Sequence, residues 1–376
     1  MNSDLDIICG TRPQLIKAGW IRQRAREFGL SVRVIHIGQH YSSELTRHEG
    51  TEPDVILPLS RDESKSDAGV IFGTQKALFN YRYVPSEQHA VVLIGDCSVT
   101  LGAALYLVDY NFCHLEAGTR SAESLVEGVI RYTVDQLAAR NLCPTRTALK
   151  NLQDEGDEGF FTGDILLDRW ISYANEKSKA EYLRDGFDGP GTYLHTPDRF
   201  LRVPDVVVTL HRQQTVDNPL ALQSAFETID ALAMEMEFGE LTLGLVAHPR
   251  LLKSMKSYMI RPASSIQLYN SLPYEVMNVF TREAMLVITD SGGLQREAFW
   301  AGTNCVIYRK ETEWPELLDS DAVLLTTNPE IILAAYGRLR EGYSLNPKGK
   351  FLLPEERYAL FGGAHVMSKT LEALTK

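Results

Sequence analysis

The sequence lacks a long hydrophobic run. Charged or polar residues interrupt each apolar stretch of its 376 residues before it reaches the roughly 18 to 20 residues that a membrane-spanning helix needs. The N-terminus, MNSDLDIICGTRP, has neither the basic start nor the apolar core of a secretory signal. We therefore expect a cytoplasmic protein that does not contact a membrane.

Cysteine is scarce, and cofactor motifs are missing. The five cysteines are scattered without a C-x-x-C pair, which is typical of reduced, buried thiols in the cytosol. No His, Cys or Asp spacing resembles a zinc site, and no Walker, G-x-G-x-x-G or G-x-S-x-G motif occurs. These absences argue against metal hydrolases, serine hydrolases, kinases and dehydrogenases, and we expect neither a metal nor a cofactor.

Basic blocks are absent as well. Lys and Arg number 38 against 49 Asp and Glu, which gives a net charge of −11. A protein that holds nucleic acid by general electrostatics is normally basic on at least one face, so we expect no nucleic-acid partner. A local anion site is still compatible with an acidic chain, because a helix N-terminus and a few arginines suffice for it.

What the sequence does contain is an alternation of short β-branched runs with longer helical patterns. The alternation predicts an α/β fold with parallel sheets covered by helices, and the length suggests two domains. A charged stretch rich in Gly and Pro, at roughly 180–203, predicts the junction between a domain at 1–180 and a second at 203–363. Ligands commonly bind in the cleft between two such domains.

Polar clusters directly follow the predicted strands. The strands read LDIICG, VRVIHIG, DVIL, AVVLIG and NFCHLE in the first half, and DVVVTL, LGLVAH, IQLYN, MLVITD, NCVIY and VLLTT in the second. The clusters are GTRPQLIK (10–17), GQH (38–40), GDC (95–97), HLEAGTR (114–120), LHR (210–212), AHP (247–249) and TDSGGLQRE (289–297). Because the carboxyl ends of parallel strands meet at one edge, where ligands bind in open α/β sheets, seven clusters from both halves form a pattern that predicts ligand binding there.

The TDSGGLQRE cluster predicts an anion site. Ser291, Gly292 and Gly293 lie where a strand turns into a helix, so unpaired backbone N–H groups and the helix dipole favour a phosphate there. Glu297, one turn further, could accept hydrogen bonds from a ribose diol. A serine N-cap on a glycine-rich turn explains the same residues equally well.

Several cations also follow predicted strands. Arg12 and Lys17 oppose the dipole of the helix that they begin, so they are expected there if an anion sits between them; solvated surface cations are the alternative. His211 and Arg212 follow an apolar strand, which favours a phosphate contact or proton transfer over a core histidine. For His248, before a proline, we expect a structural turn.

The densest acid/base chemistry lies between residues 96 and 135. Glu127, Arg131 and Asp135 are spaced i, i+4, i+8 and share one helical face. Asp96 and Glu116 end adjacent predicted strands, so three carboxylates converge. Crowded carboxylates raise one another's pKa, which is one way to obtain a general acid and a general base. An ordinary helix salt bridge is the alternative for Glu127 with Arg131.

In their order, these clusters resemble the UDP-N-acetylglucosamine 2-epimerase family from residue 10 to about residue 370. The family signature G-T-R-P-E-x-I-K is matched except at Gln14, and G-Q-H, G-D, H-x-E-A-G-x-R, E-x-x-x-R, H-R and D-S-G-G-x-Q-x-E all follow. The resemblance implies a fold of the GT-B type: two Rossmann-like domains facing an interdomain cleft, with the nucleotide mostly on the second. It also implies a final helix, here 364–376, that returns to the first domain, and a homodimer.

The activity that the resemblance implies is inversion of C2 in UDP-N-acetylglucosamine to give UDP-N-acetylmannosamine. UDP is eliminated to a glucal intermediate and then added back. By motif position, Asp96, Glu116 and Glu127 would be the acid/base carboxylates, with Arg131 orienting them. His211 would act at the leaving diphosphate. The substrate-binding residues implied in the same way are Arg12, Lys17, Gln39, Arg212, Met277, Ser291, Gly292, Gly293 and Glu297.

The sequence departs from the family pattern at several of these motifs. H-R-x-E-N reads His211 to Thr215 as HRQQT, T-E-R-P-E carries Trp314 in place of its arginine, and Q-E-E carries Arg296. Only Glu127 remains of a glutamate pair, and Met277 stands where a phenylalanine usually covers the uracil. The segment RDESKSDAG lacks the pattern that accompanies allosteric substrate binding.

These departures leave other outcomes open. A hydrolysing 2-epimerase would release UDP and free N-acetylmannosamine. A GT-B glycosyltransferase would use the sugar nucleotide as donor, but it needs only one base and not three retained carboxylates. A catalytically inactive sugar-nucleotide sensor is the third alternative. We expect epimerisation of a UDP-N-acetylhexosamine, with a UDP-sugar as the partner.

Overall fold

The structure is a computed structural model that describes residues 4–38, 52–86, 89–120, 125–176, 193–195, 203–237 and 241–375. Gln39 and His40 of the GQH cluster lie outside the described residues. The chain divides into two compact units. Unit 1 comprises Met1–Ile171 and Tyr358–Lys376, and unit 2 comprises Ser172–Arg357.

Unit 1 is built on a seven-stranded sheet in the order β3-β2-β1-β4-β5-β6-β7, with each neighbouring pair parallel. The apolar runs LDIIC and AVVLI form its central strands because parallel strands covered on both faces need continuous apolar residues. The strands are β1 (Leu5–Cys9), β2 (Val32–Gly38), β3 (Val55–Pro58), β4 (Ala90–Ile94), β5 (Cys113–Leu115), β6 (Arg140–Cys143) and β7 (Phe160–Phe161). The short strands β6 and β7 were not among the predicted ones.

Helices connect the strands of unit 1. They are α1 (Arg12–Glu27), α2 (Asp67–Tyr81), α3 (Ser98–Tyr106), α4 (Leu125–Leu137), α5 (Arg146–Asp154) and α6 (Ile165–Glu176), whose last residues belong to unit 2. Helix α1 begins at a capping box of Thr11 and Gln14 and ends just before Gly29, which has φ +74°. A glycine in this left-handed conformation is a common helix stop, as the sequence predicts.

The end of the chain folds with unit 1. Helix α13 (Pro354–Ala359) leads to α14 (Val366–Thr375). The backbone N–H of Asp164 donates to the carbonyl of Phe361 at 2.9 Å. The guanidinium of Arg140, on β6, donates to the carbonyl of Ala373 at 2.8 Å. Two distant parts of the sequence therefore complete one unit.

Unit 2 is built on a second seven-stranded sheet in the order β14-β13-β12-β9-β10-β11-β8. Its neighbours are parallel except at the edge, where β8 pairs antiparallel with β11. The strands are β8 (Tyr193–His195), β9 (Val206–Thr209), β10 (Leu243–Val246), β11 (Gln267–Tyr269), β12 (Leu286–Thr289), β13 (Asn304–Ile307) and β14 (Val323–Leu325). Strand β8 was not among the predicted strands; it lies inside the stretch predicted as the domain junction and pairs with the edge strand β11.

The helices of unit 2 follow its strands. They are α7 (Gln213–Val216), α8 (Pro219–Glu237), α9 (Pro249–Tyr258), α10 (Tyr274–Glu283), α11 (Gly292–Ala301) and α12 (Pro329–Arg340). Val206, Val208, Leu245 and Ile288 of the central strands are at most 2% exposed and pack with α8 side chains such as Phe226. The two α/β units thus each have a core of their own.

The described residues include no helix that is both long and apolar enough to cross a membrane. All five cysteines are free thiols, and four of them are buried.

Candidate functional site

In unit 1, Asp96 and Glu116 follow two adjacent parallel strands. Ile94 of β4 lies opposite Leu115 of β5, so the two acids lie just beyond neighbouring strand ends, as the sequence predicts. Asp96 keeps a side-chain exposure of 32%, while Glu116 is 8% exposed. The two carboxylates therefore differ in their access to solvent.

Glu116 is held in an ion pair by Lys17. Lys17 Nζ lies 2.6 Å from Glu116 Oε2, and Lys17 is itself only 6% exposed. Glu116 has φ +68°, a left-handed conformation that costs a non-glycine residue on the order of 1 kcal/mol or more. The anion expected beside Lys17 is thus a side chain of the same unit, which explains why a buried lysine is tolerated near the start of α1.

Asp96 is held by Arg131. An Nη2 hydrogen of Arg131 is donated to Asp96 Oδ2, and Nη1 donates to the carbonyl of Thr119 at 3.3 Å. Arg131 lies on α4, one turn after the half-buried Glu127. The contacts found for Asp96 and Glu116 are therefore to cations, whereas the sequence predicted crowding of carboxylates with each other. A buried carboxylate needs a compensating charge, and α1 and α4 supply one each.

A fully buried histidine connects the backbone before Asp96 with helix α4. His114 Nδ1 is 2.7 Å from Asp135 Oδ1, and His114 Nε2 is 2.8 Å from the carbonyl oxygen of Gly95. Asp135 also accepts from the backbone N–H of Gly118 at 3.2 Å and pairs with Arg120 at 2.7 Å. Burial alone would raise the pKa of Asp135, but the hydrogen bonds and charges of His114 and Arg120 outweigh it and hold the pKa below its usual value.

Gln14 ties the first strand end to the second. Its Oε1 accepts from the backbone N–H groups of Gly10 and Thr11 at 2.8 and 3.2 Å, and its Nε2 donates to the carbonyl of Ile94 and, at 3.1 Å, to Thr100 Oγ1. Its Nε2 is also 3.3 Å from the Sγ of Cys97. Desolvation raises the pKa of the Cys97 thiol, so this partly buried cysteine is not an activated nucleophile.

In unit 2, the carboxylate of Asp290 holds His211 and Arg212. It accepts from the backbone N–H of His211 at 3.0 Å and from that of Arg212 at 2.9 Å, and His211 Nδ1 lies 3.1 Å from Asp290 Oδ1. Asp290 is 0% exposed, whereas the ring of His211 is 36% exposed. The buried acid therefore fixes the ring through Nδ1, which leaves Nε2 to carry the chemistry.

The first turn of α11 is both capped and flanked by charge. Ser291 is the N-cap, and its Oγ accepts from the backbone N–H of Leu294 at 3.3 Å. A Cβ added to Gly292 would lie 2.8 Å from Glu313 Oε1, so the glycine lets this carboxylate approach the helix. Glu313 pairs with Arg212 at 3.0 Å and with Arg309. The serine cap is therefore present, and the carboxylate of Glu313 with its two arginines lies beside the same turn; the anion site stays a prediction.

The segment after Arg309 is locked onto α11 by side chains. Thr312 Oγ1 donates to Gln295 Oε1 at 2.6 Å. The guanidinium of Arg296 lies over the Trp314 ring, and its Nε donates to the carbonyl of Gly292 at 3.1 Å. Arg296 and Trp314 are both 4% exposed. The two substituted family positions are thus in direct contact.

The remaining predicted residues of the described chain lie on these same elements. Arg12 is the first residue of α1, and Glu297 is a buried residue of α11. Met277 is a partly exposed residue of α10, whereas the nearby Phe280 packs edge-on against Tyr269 in the core. His248 caps α9, with its Nδ1 accepting from the N–H of Arg250 at 3.2 Å, which is the structural turn expected for it.

Three residues were overlooked by the motif analysis as members of the site. They are His114, which binds Asp135, Asp290, which binds His211, and Glu313, which binds Arg212. A signal did exist for Asp290, since an acid between an apolar strand and a serine cap is expected to be buried, and a buried carboxylate needs hydrogen-bond donors nearby. Among the described residues, no group of three His, Cys, Asp or Glu side chains could hold a metal ion.

The family model of UDP-N-acetylglucosamine 2-epimerase matches residues 22–374 of the chain. A UDP-2,3-diacetamido-2,3-dideoxy-D-glucuronate 2-epimerase from Pseudomonas aeruginosa is 27% identical over 98% of this chain and 98% of its own length. A UDP-N-acetylglucosamine 2-epimerase from Methanocaldococcus jannaschii is 27% identical over 88% of this chain and 90% of its own length.

Solved structures are similar over nearly the whole chain. The Methanocaldococcus jannaschii UDP-GlcNAc 2-epimerase in complex with UDP-GlcNAc and UDP has a TM-score of 0.77 at 24% identity, covering 99% of both chains. The Neisseria meningitidis UDP-GlcNAc 2-epimerase bound to UDP-GlcNAc has a TM-score of 0.78 at 18% identity, covering 98% of this chain and 99% of the other. These likenesses confirm the predicted α/β fold of the GT-B type.

Proposed function

The chain belongs to the UDP-N-acetylglucosamine 2-epimerase family, and from the arrangement of its acids we propose that it converts UDP-N-acetylglucosamine to UDP-N-acetylmannosamine through elimination and re-addition of UDP. It is an enzyme of the 2-epimerase type. The family match and the named relatives confirm this prediction from the motifs. The observation that carries the proposal is the pair of acids at adjacent strand ends, each held by its own cation.

Inversion at C2 requires that a proton leave one face of the carbon and return to the other. One side chain can serve one face, so two acid/base groups are needed. Asp96 and Glu116 meet that requirement, and their ion pairs with Arg131 and Lys17 hold them in place. Glu127, one helical turn before Arg131, is the third acid/base candidate.

Elimination at C2 also requires a good leaving group at C1. We assign the UDP moiety to unit 2, where Arg212 and Arg309, both paired with Glu313, accompany the first turn of α11. His211, oriented through Nδ1 by Asp290, can deliver a proton from Nε2 to the leaving diphosphate oxygen and take it back on re-addition. Ser291, Gly292 and Gly293 would hold phosphate, and Glu297 the ribose.

Incubation with UDP-N-acetylglucosamine in heavy water tests the mechanism. Deuterium at C2 of substrate and product is the expected result, because the abstracted proton exchanges with solvent. Glu116→Gln should abolish the exchange while UDP binding persists, and the exposed Asp154→Asn serves as the matched control. Absence of label in both sugars, or transfer of unlabelled sugar to an acceptor, would contradict epimerisation and favour a glycosyltransferase.

A second substrate is supported by the relative from Pseudomonas aeruginosa, which matches 98% of the chain and is named for a diacetamido uronate. The same acids would invert C2 of that sugar. The exchange assay run side by side on both nucleotide sugars distinguishes them by the ratio of kcat/KM. Release of UDP with free N-acetylmannosamine would instead select the hydrolysing reaction.

We further propose a homodimer formed through helices α2 and α4 of unit 1. Phe72 and Phe79 on α2 are 64% and 72% exposed, and Val129 on α4 is 61% exposed. Helices α2 and α4 both pack against α3, and large exposed apolar side chains on such a set of helices are typical of an interface. Light scattering should give the mass of two chains, and Phe72→Glu with Phe79→Glu should give that of one. A monomeric parent chain would contradict this.

We also propose that the protein is located in the cytoplasm, and its five free cysteines are consistent with that location.

A further inference from the structure

We propose that His114 is a positioning residue that remains a protonated imidazolium in the folded enzyme and, with Asp135, fixes the two loops that carry Asp96 and Glu116. The proposal rests on the function proposed above for those two acids. It goes further by naming the group that holds them and the charge which that group carries.

The first argument is the count of donors. Both ring nitrogens of His114 face oxygen acceptors, Nδ1 toward Asp135 at 2.7 Å and Nε2 toward the carbonyl of Gly95 at 2.8 Å. A neutral imidazole has one N–H and one lone pair, so either tautomer would set a lone pair against an oxygen. The ring is 0% exposed, so it cannot turn to solvent. Only the imidazolium, with two N–H donors, satisfies both contacts.

The second argument is charge balance. The titratable groups that face the pair are Arg120, 2.7 Å from Asp135, and Glu155, which Arg120 holds through two hydrogen bonds of 2.9 and 2.6 Å. The Cys143 thiol on β6 also senses Asp135, and burial raises its pKa to about 12, so it adds no charge. Two cations and two carboxylates therefore balance, and a buried imidazolium is compensated inside unit 1.

The third argument is that the His114–Asp135 pair binds the backbone next to both acids. Gly95, whose carbonyl His114 binds, directly precedes Asp96, and Gly118, whose N–H binds Asp135 at 3.2 Å, follows Glu116 by two residues. Gly95 and Glu116 both have left-handed backbones, with φ +66° and +68°. Such conformations persist only when their surroundings hold them. The His114–Asp135 pair thus fixes the backbone before one acid and after the other.

The protonation state can be measured without any assay of activity. The full chain is labelled with 15N-histidine, and the ring nitrogens are observed by long-range proton–nitrogen correlation from pH 6.5 to 8.5. The signal that disappears in His114→Gln identifies the residue. Two protonated nitrogens across this range are the expected result. One protonated and one unprotonated nitrogen would overturn the proposal, whatever the enzyme's reaction is.

The positioning role has its own test, the rate of deuterium exchange at C2. His114→Gln and Asp135→Asn should each lower kcat roughly 100-fold, with KM nearly unchanged, because the acids are displaced while the nucleotide contacts of unit 2 stay intact. In the double variant the Asn amide can donate to the Gln carbonyl, so complementary hydrogen bonds return without charge. We therefore expect kcat to recover at least partly.

A double variant no more active than the singles, while thermal unfolding shows it to be folded, would overturn the positioning role. The exposed His365→Gln is the matched control and should leave the rate unchanged. Failure of the proposed function would look different, since the parent enzyme would then show no exchange at all.

Discussion

The guanidinium of Arg296 stacks on the ring of Trp314, with its central carbon 4.1 Å from the ring centroid. In the sequence these residues are two separate departures from the family motifs, an arginine lost at 314 and a glutamate lost at 296. In the structure they are one buried contact beside the first turn of α11. A desolvated cation–π contact contributes about 2 kcal/mol of stabilisation, so the arginine at 296 and the tryptophan at 314 stabilise each other.

This contact predicts that the two positions are energetically coupled. Trp314→Arg sets two guanidinium groups against each other, and Arg296→Glu removes the cation from the ring. We expect each single variant to lower the free energy of unfolding by roughly 1 to 3 kcal/mol. Their combination should recover most of the loss by forming an ion pair. Denaturant unfolding measures the free energy of unfolding of each variant, and calorimetric UDP titration shows whether the variant still binds UDP.

The exposed Arg261→Glu is the control for this double-mutant cycle, since it changes the same charge elsewhere in unit 2. Additive losses in the double variant would show that the two positions act independently.

Asp290→Asn should impair His211 without removing it. An asparagine oxygen can still accept from the backbone N–H groups of His211 and Arg212, but its amide no longer accepts a proton from Nδ1. The asparagine amide can donate to Nδ1 instead and so fix the neutral tautomer, which is a far weaker acid at Nε2 than a doubly protonated ring. We expect kcat to fall by about 100-fold or more, and the pH dependence of kcat to change shape.

The control for that experiment is Asp319→Asn, an exposed acid of the same unit. A parent-like rate for Asp290→Asn would mean that the His211 tautomer is irrelevant to turnover.

Gln14→Glu, which restores the family residue, should destabilise unit 1 in this protein. The Nε2 that donates to the Ile94 carbonyl would become an oxygen facing an oxygen, at a cost of about 1 to 3 kcal/mol. Protonation of the new acid relieves that cost, so the loss of thermal stability should be larger at pH 8 than at pH 5. Gln23→Glu, exposed on the same helix, should show no such difference. An equally stable Gln14→Glu protein would contradict the hydrogen-bond assignment.

The buried ring of His36 should make the folded protein less stable on mild acidification. Burial holds the pKa of this ring below its usual value, although a hydrogen bond with Gly10 opposes the effect. Below about pH 6.5 the unfolded chain therefore binds a proton that the folded chain does not, and stability falls with pH. The melting temperature should drop less between pH 7.5 and 5.5 in His36→Asn than in the parent. Identical slopes would remove His36 as the cause.

The sequence predicts the scaffold better than the contacts within the site. Apolar runs have the same meaning wherever they occur, so each strand expected from them is present, and Asp96 and Glu116 lie at adjacent strand ends. Which cation binds which acid depends on strand register and on side-chain reach across about 100 residues, as in Lys17 with Glu116. Spacing along the chain cannot supply that information.

For the same reason, His114 is invisible as a link. His114 begins the HLEAGTR cluster, but its partners Gly95 and Asp135 lie 19 and 21 positions away. Short strands such as β7, of two residues, carry too little periodicity to be predicted. The GQH cluster, with Gln39, stays a prediction because it lies outside the described residues.

The return of the last helix to unit 1 has a consequence for synthesis. During translation the residues of unit 2 emerge after Ile171 and before Tyr358. The final segment of unit 1 is therefore synthesised only after the whole of unit 2. Domains of nascent chains generally fold in order of their appearance, and here that order is broken. Asp96 and Glu116 leave the ribosome early, yet the unit that carries them is completed only when the contacts of Phe361 and Ala373 can form.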